Sequence, residues 1–261
     1  MRAQLYLESE MDEPQSFDHS QGRVMAYART CPGKQEPNDD SAAVICTQDD
    51  GLVLAVADGV GGSPLGHKAS GIAMQCLSES LQSAATFNGD LRPLILDGIE
   101  RANAEILDLA IGAATTLSVI EVKNRVARGY QVGDSMAVIV GQRGLVKWKS
   151  TSHSPIGYAI ESGLMGEDEA MYHDERHFVS NLVGSKSMHI EIGPAIKLAA
   201  LDTIILASDG LFDNLTLDEI CSLSRVGPPA RRMRSLIDQA TAQMQTDLGK
   251  PDDLSIVLLA P

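Results

Sequence analysis

The sequence is poor in cysteine and in basic residues, and both shortages narrow the classes of protein to which it can belong. Its 261 residues include four cysteines, and its 35 acidic and 21 basic residues give a formal net charge of −14. The cysteines are scattered at positions 31, 46, 76 and 221 without a C-x-x-C pair, which predicts reduced core thiols rather than a zinc site or a disulfide framework. The acidic balance argues against a nucleic-acid partner, because nucleic-acid phosphates require a basic footprint.

Signatures of membrane proteins and of several enzyme classes are also absent. No stretch approaches the roughly 20 apolar residues of a membrane span, and the acidic N-terminus has no apolar signal core, so we expect a cytoplasmic protein with no membrane partner. There is no G-x-S-x-G nucleophile elbow for a serine triad, and no G-K-[ST] of a nucleotide loop. The C-x-x-x-x-x-R loop of cysteine-dependent phosphatases is missing too, so the cysteines need no nucleophilic role.

The remaining composition is typical of an ordinary globular domain. With 44% hydrophobic and 21% charged residues, the chain can bury a substantial core. It contains neither repeats nor a low-complexity linker. We therefore predict one domain over residues 22–261, preceded by an acidic N-terminal extension over residues 1–21.

Apolar periodicity predicts helices and strands along this domain. The helical stretches are residues 67–84, 91–110 and 229–248. The strand-like stretches are residues 22–29, 42–47, 52–57, 115–122, 125–133, 135–141, 144–150, 202–208 and 254–260. Thr216 and Glu219 form a capping-box pattern that predicts one more helix start, whereas residues 151–200 are polar and weakly periodic, which indicates an excursion from the core. The pattern favours an α+β fold in which sheets pack on each other with helices outside.

Acidic residues stand where several of these strands begin or end. They are Asp39, Asp40, Asp58, Asp134, Asp209, Asp252 and Asp253. Each of them alone is a common type of turn or helix-cap residue. As a set they can converge if the strands run side by side with these ends together. The carboxylates would then repel one another, and a divalent cation that prefers oxygen ligands, Mg²⁺ or Mn²⁺, would relieve this repulsion. Both interpretations stay open at this level.

The order of the motifs along the chain resembles the metal-dependent protein phosphatase family of the 2C type. The family's pattern runs N-[DEQ]-D, D-G-x-G-G, G-[ST]-T, G-D-S, a flap with H-S and a later E-A-x-x-H, S-D-G-[LIW]-x-D and D-[ND]-x-[ST]. The matching residues are Asn38-Asp39-Asp40, Asp58-Gly59-Val60-Gly61-Gly62, Ala114-Thr115-Thr116, Gly133-Asp134-Ser135, His153-Ser154, Glu169-Ala170 with His173, Ser208-Asp209-Gly210-Leu211-Phe212-Asp213 and Asp252-Asp253-Leu254-Ser255. Each motif alone is weak, but the complete series in order is specific.

The resemblance implies both a fold and cofactors. The fold is a four-layer α-β-β-α sandwich, in which two antiparallel sheets are flanked by helix pairs, with a flap over about residues 151–185. The cofactors are Mn²⁺ or Mg²⁺, with two ions held tightly and a third held more weakly. Asp58 matches the residue that bridges the two tightly held ions, and Gly59 matches a ligand that uses its carbonyl oxygen. Asp209 and Asp252 match ligands of the first ion, and Asp39 matches a ligand of the second.

Other positions match supporting roles in the family. Asp134 corresponds to a ligand of the third ion, and Asp40 to a residue that orients metal-bound waters. His153 matches a flap position and could act as a general acid toward the leaving alkoxide, or be a loop histidine that makes one hydrogen bond. Where the family usually has an arginine that grips the substrate phosphate, this chain has Gln35. The adjacent Lys34 could replace that arginine as a point charge or be a solvated surface residue.

The implied activity is hydrolysis of phosphoserine and phosphothreonine in proteins, by in-line attack of a water or hydroxide that bridges two metal ions. The implied partners are phosphorylated proteins, including a cognate Ser/Thr kinase and its targets, and we expect a monomer. A partner-switch enzyme acting on a small regulatory protein would differ only in substrate. The alternative is a catalytically weak pseudophosphatase that binds a phosphoprotein or kinase, which Gln35 favours and the retained Asp58, Asp209 and Asp252 oppose.

Overall fold

The computed structural model describes residues 2–60, 65–83 and 89–260. The strands are β1 (Arg2–Leu7), β2 (Gln15–His19), β3 (Gly22–Arg29), β4 (Asp40–Cys46), β5 (Leu52–Asp58), β6 (Leu117–Lys123), β7 (Val126–Val132), β8 (Met136–Val140), β9 (Val146–Lys149), β10 (Glu191–Ile192), β11 (Ile196–Lys197), β12 (Thr203–Ala207) and β13 (Leu254–Ala260). The helices are α1 (Gly66–Ser83), α2 (Arg92–Asp108), α3 (Pro155–Glu161), α4 (Glu167–Ala170), α5 (Asp209–Phe212), α6 (Leu217–Ser224) and α7 (Pro229–Met244).

The strands form two antiparallel sheets. In the first sheet the described strands lie in the order β1-β4-β5-β6-β7-β10, and β11 also pairs with β7. In the second sheet the order is β2-β3-β13-β12-β8-β9. Every pairing of neighbouring strands in both sheets is antiparallel. The predicted α+β class is therefore confirmed.

Three apolar clusters show how the sheets and helices stack. On β4, Ala43 and Ile45 pack with α1 and α2, whereas Ala42 and Val44 pack between the two sheets. A third cluster fills the space between the second sheet and the helices α5, α6 and α7. Successive side chains of a strand point to opposite faces, so a strand that is covered on both faces has a continuous apolar sequence. The result is the expected four-layer α-β-β-α sandwich.

The N-terminal segment differs from the expected extension, because its described part supplies a strand to each sheet. β1 pairs with β4, from Arg2 opposite Cys46 to Leu7 opposite Ser41. β2 pairs with β3 at the edge of the second sheet. Both strands are at an edge and leave most of their side chains partly exposed, so they carry little of the apolar periodicity by which strands are recognised.

The other differences from the predicted elements fall in the connections. Residues 151–200 contain α3, α4, β10 and β11, and their Val183 and Leu198 are buried in the core clusters, so the predicted excursion from the core is only partly correct. α5 begins at Asp209, where the sequence indicates only the end of a strand. The capping box is confirmed: the Thr216 side chain accepts from the Glu219 N–H, and the Glu219 carboxylate accepts from the Thr216 N–H. The helix predicted over residues 67–84 is α1, and residue 84 lies outside the described residues. None of the helices in the described ranges is both long and apolar enough to cross a lipid bilayer.

Candidate metal centre

The candidate site lies where both sheets end. In the first sheet, Asp40 at the start of β4 is directly opposite Asp58 at the end of β5. In the second sheet, Asp209 follows β12 and Asp252 precedes β13, and these strands are antiparallel neighbours. Asp134 lies in the turn that carries the chain from β7 in the first sheet to β8 in the second. The topology thus brings together acids that are far apart in the sequence.

A side-chain hydrogen bond connects the two sheets beside these acids. Ser208 Oγ donates to Asp40 Oδ2 at 2.6 Å, and it accepts from the backbone N–H of Ser255 at 3.1 Å. Asp40 is only 1% exposed, and its own N–H donates to Asn38 Oδ1 at 2.9 Å. Burial, together with the negative charge of Asp253, raises the pKa of Asp40 well above its ordinary value, although the bond from Ser208 opposes this rise.

Asp58 and Asp134 are half-buried among other carboxylates. Burial and the negative charges of Asp209 and Asp40 raise the pKa of Asp58 well above its ordinary value. Burial and the charges of Asp209 and Asp213 do the same to the pKa of Asp134. Both shifts reflect mutual repulsion between carboxylates, which a compensating cation would relieve.

The backbone at Asp58 is fixed by two threonines. The Asp58 N–H donates to Thr116 Oγ1 at 2.9 Å, and the Asp58 carbonyl accepts from Thr115 Oγ1 at 2.8 Å. Thr116 Oγ1 in turn lies 2.6 Å from Ser135 Oγ, in the turn that holds Asp134. These bonds hold Asp58 and the turn at Asp134 in a defined relative position.

Gly59 provides a close approach between β5 and the start of α1. Its N–H donates to the carbonyl of Asp39 at 3.1 Å. A Cβ atom at Gly59 would overlap with the backbone carbonyl of Gly66, so only glycine allows α1 to begin this close to the strand end. Gly61 and Gly62, the later glycines of the same motif, lie outside the described residues.

Lys250 places a positive charge among the acids. Its Nζ atom forms ion pairs with Asp209, with Asp213 at 2.8 Å and with Asp252 at 3.3 Å. Burial and the charge of Asp209 raise the pKa of Asp213 to about 6 and the pKa of Asp252 to about 7, while Lys250 opposes both rises. Burial alone would lower the pKa of Lys250, but the three carboxylates outweigh this effect and raise it above its ordinary value.

A second lysine, Lys34, lies at the rim of the site. Its Nζ atom is 2.8 Å from Asp39 Oδ2 and 2.6 Å from Asp253 Oδ2. Asp39 Oδ1 also accepts from the N–H of His67 at 2.8 Å, at the start of α1. Asp253, which is 3% exposed, accepts from the N–H of Cys31 at 2.8 Å. Lys34 is thus not simply solvated, and two carboxylates already compensate its charge.

His153 lies at the base of the flap and is 1% exposed. Its Nδ1 atom accepts from Asn181 Nδ2 at 2.8 Å and from the N–H of Gly133 at 3.3 Å, and its Nε2 atom is 3.2 Å from the Glu191 carboxylate. Burial lowers the pKa of His153 below its ordinary value, although Glu191 opposes this. Because both ring nitrogens are engaged, this geometry favours a structural role over general acid catalysis.

A cavity of about 130 Å³ lies between the flap and the acids. Asp134, Asp209 and Asp213 line one side, and Ile156 of α3 and Arg176 line the flap side. The flap therefore contributes apolar residues, two serines, Glu167 and Arg176 to the wall of this cavity.

The carboxylates fit a divalent cation in chemistry, although they are not preassembled around one. Across the described residues, no three His, Cys, Asp or Glu side chains form a group that could hold a metal ion as they stand. Lys250 and Lys34 bind these carboxylates instead. Asp209 Oδ1, however, is buried and has no hydrogen-bond partner among the described residues. A concentrated set of oxygen donors with such an unsatisfied atom suits Mg²⁺ or Mn²⁺ rather than zinc.

Comparison with protein families agrees with this site. The model of a family described as protein phosphatase 2C matches residues 29–250 of the chain. The chain belongs to the protein phosphatase 2C family. The sequence-based expectation of this family, and of a protein phosphatase, is thereby confirmed.

Individual relatives of this 2C-family chain resemble it over nearly the whole length. This chain is 24% identical over 247 residues to the serine/threonine phosphatase stp of Listeria welshimeri. The matched region covers 90% of this chain and 94% of that protein. The crystal structure of the serine/threonine phosphatase Stp1 from Staphylococcus aureus matches with a TM-score of 0.80 at 20% identity, over 97% of this chain and 98% of that one. The catalytic domain of the serine threonine protein phosphatase PstP, in complex with 2 manganese ions, matches with a TM-score of 0.70 at 20% identity, over 91% and 97%. These structural likenesses show the fold.

Three residues of this 2C-family site were not assigned roles from the sequence. Ser208 and Asp213 belong to a matched motif, and Lys250 lies two residues before Asp252. Their contacts depend on the approach of α5 to the start of β13. The apolar periodicity of the sequence does not indicate this approach. A lysine so close to an acidic motif is the only sequence signal that could have drawn attention to Lys250.

Proposed function

We propose that this chain is a metal-dependent serine/threonine phosphoprotein phosphatase that hydrolyses phosphomonoesters. The observation that carries the proposal is the convergence of Asp58, Asp209 and Asp252 at one end of a 2C-family fold, with Asp209 Oδ1 buried and unpaired among the described residues. The phosphatase activity named for the Listeria relative and the manganese ions in the PstP structure support it.

The proposed ligands for two divalent cations are carboxylates and one backbone carbonyl. Asp58 would contact both ions, because the negative charges of acids from both sheets act on it. Asp134 would contribute to a third, weaker position next to Asp209. The full proposed set is Asp39, Asp58, the carbonyl of Gly59, Asp134, Asp209 and Asp252.

Bound divalent cations would lower the pKa of the water that hydrolyses the phosphomonoester, and they would neutralise charge on the phosphoryl oxygens. The chain's own residues set up this reaction. Ser208 and Asp40 join the ends of the two sheets and thereby hold Asp58 and Asp209 in register. The flap over the cavity limits the access of bulk water.

We propose that two basic side chains near the acids contact the substrate phosphate. Lys34 lies at the rim beside Asp39, and Arg176 lines the cavity from the flap. Lys34 acts as a point charge and cannot form the two-pronged contact of an arginine at position 35. We therefore expect weaker phosphate binding than an arginine would give, with substrates that are phosphorylated by a cellular Ser/Thr kinase.

Hydrolysis of p-nitrophenyl phosphate and of a phosphothreonine peptide tests the proposal. We expect turnover with Mn²⁺, loss of turnover with EDTA, and a decrease on the order of 100-fold in Asp209→Asn, because this change removes a metal ligand. Asp202→Asn is a matched control, since Asp202 is a buried, lysine-paired aspartate at the opposite end of β12. A folded wild-type protein that is inert with Mn²⁺ but binds a phosphoprotein tightly would overturn the proposal and favour the regulatory module.

A further inference from the structure

Lys250 is held in place by its backbone as well as by its side chain. The Lys250 N–H donates to Asn214 Oδ1, and the Lys250 carbonyl accepts from Asn214 Nδ2, both at 2.9 Å. Asn214 is 3% exposed and also donates to the carbonyl of Gly210, in α5, at 3.0 Å. The lysine is therefore anchored to the same short helix that begins with Asp209.

The side chain of Lys250 reaches from this anchor into the acidic cluster. Its ammonium group contacts Asp209, Asp213 and Asp252, and the side chain is 21% exposed. Asp209 and Asp252 are two of the proposed metal ligands, whereas Asp213 lies one helical turn after Asp209. One ammonium group thus compensates part of the charge that two divalent cations would compensate fully.

The ammonium group and a metal ion compete for the same two carboxylate groups, those of Asp209 and Asp252. Asp209 Oδ2 and Asp252 Oδ2 both face Lys250 Nζ, while the buried Asp209 Oδ1 has no hydrogen-bond partner among the described residues. An approaching divalent ion is repelled by the ammonium charge at this short range, and it must displace the lysine in order to use the Oδ2 atoms of Asp209 and Asp252. Breaking the lysine contacts costs free energy, so the net binding free energy of the metal is less favourable.

We propose that Lys250 is a built-in cation that competes with metal ions for Asp209 and Asp252 and so lowers the metal affinity of the site. This inference rests on the proposed metal-dependent function. In the metal-free protein Lys250 stabilises the acidic cluster, and on metal loading it leaves Asp209 and Asp252. Lys250 therefore sets the metal concentration at which the site fills.

Isothermal titration of the EDTA-treated, dialysed protein with Mn²⁺ tests the inference without measuring turnover. We expect Lys250→Met to lower the Kd for Mn²⁺ by about tenfold relative to the wild type, because the competing charge is gone. Lys250→Arg keeps the charge and should bind Mn²⁺ with an affinity close to that of the wild type. Lys123→Met is the matched control, since Lys123 pairs with the half-buried Asp49 outside the site.

Thermal unfolding supplies a second readout. In EDTA, Lys250→Met should unfold at a lower temperature than the wild type, and saturating Mn²⁺ should raise its Tm by more than it raises that of the wild type. Lys250→Gln, which keeps a polar side chain, replaces the methionine variant if that one does not fold. An unchanged or weaker affinity for Mn²⁺ in a folded neutral variant would overturn the inference.

The titration also separates this inference from the proposed function. If the wild type binds Mn²⁺ and the neutral variants bind it equally, only the role of Lys250 is refuted. If neither the wild type nor the variants bind Mn²⁺, the metal-dependent function and the inference both fail. If only the neutral variants bind Mn²⁺, the inference is supported, because Lys250 then prevents binding in the wild type.

Discussion

The acidic residues at the strand ends differ in how their charge is compensated. Asp253 accepts hydrogen bonds from two backbone N–H groups and pairs with Lys34, so it joins the segment at residues 31–39 to the start of β13. Asp40 is buried and accepts from Ser208. Asp209 keeps one oxygen without a hydrogen bond among the described residues, and it shares the other with Lys250. Asp253 and Asp40 therefore maintain the structure, and Asp209 retains capacity for a cation.

Gly59 is a residue of the site that leaves no room for a larger side chain. In Gly59→Ala the added methyl group would overlap with the carbonyl of Gly66, so either the strand end or the start of α1 must move. We expect a loss of about 1–3 kcal/mol in the free energy of unfolding. Affinity for Mn²⁺ should fall as well, because the Gly59 carbonyl moves. Urea unfolding and Mn²⁺ titration measure the two effects.

Gly166→Ala is the control for that change. A Cβ atom at Gly166, just before α4, has no neighbouring atom within 4 Å, so this variant should keep both stability and Mn²⁺ affinity. Equal stability of the two variants would contradict the close approach at Gly59.

Among the elements, the short helices set the direction of the chain next to the site. α5 begins at Asp209 immediately after β12, and α6 follows at Leu217. Leu211 of α5 and Ile220 of α6 are both fully buried in the cluster beneath the second sheet. Packing of these helices therefore contributes to the position of Asp209, although neither helix carries a long apolar stripe.

A substitution in the capping box of α6 tests how much this interaction contributes to stability. Thr216→Ala removes the hydroxyl that accepts from the Glu219 N–H, so we expect a loss of about 1 kcal/mol in the free energy of unfolding. Urea unfolding measures the change. Ser222→Ala replaces an exposed hydroxyl in the middle of the same helix and should change stability little. A similar loss in both variants would show that the capping interaction contributes nothing specific.

At the scale of the whole molecule, negative charge is concentrated where the sheets end. The chain carries a net charge of −14, and at this end several carboxylates share the ammonium groups of Lys34 and Lys250. Burial and the charge of Asp209 raise the pKa of Asp252 to about 7 and that of Asp213 to about 6. In an unfolded chain both carboxyls titrate near pH 4.

These pKa values determine how the stability of the metal-free protein depends on pH. Between about pH 4 and pH 7 the folded protein binds more protons at these carboxyls than the unfolded chain, so their contribution to stability falls as pH rises. In EDTA we expect Asp252→Asn to show a smaller loss of stability than the wild type between about pH 5 and pH 7.5. Urea unfolding at the two pH values measures the difference.

A metal ion should reverse this trend in the wild type. Saturating Mn²⁺ binds the deprotonated carboxylates, so it should restore more stability near pH 7.5 than near pH 5. Identical pH dependence of the wild type and Asp252→Asn in EDTA would contradict the raised pKa of Asp252.

Local patterns in the chain were sufficient to predict much of this fold. Strands such as β4 and β5 are apolar on both faces because each face is covered, and that continuous pattern is visible without a structure. The amphipathic helices and the capping box at Thr216 depend on residues three or four positions apart, which a single sequence shows. The ordered motifs also indicated the family and placed acids at the strand ends.

Contacts between distant segments required the folded chain. β1 and β2 bury too few side chains to show a pattern, and they become strands because the edges of two sheets offer them hydrogen bonds. The anchoring of Lys250 by Asn214 and its pairing with Asp209 depend on packing between α5 and the segment before β13. Spacing along the chain determines which side of an element is apolar. Which charged atoms meet is determined by how the elements pack, because electrostatic contacts depend on distances in space.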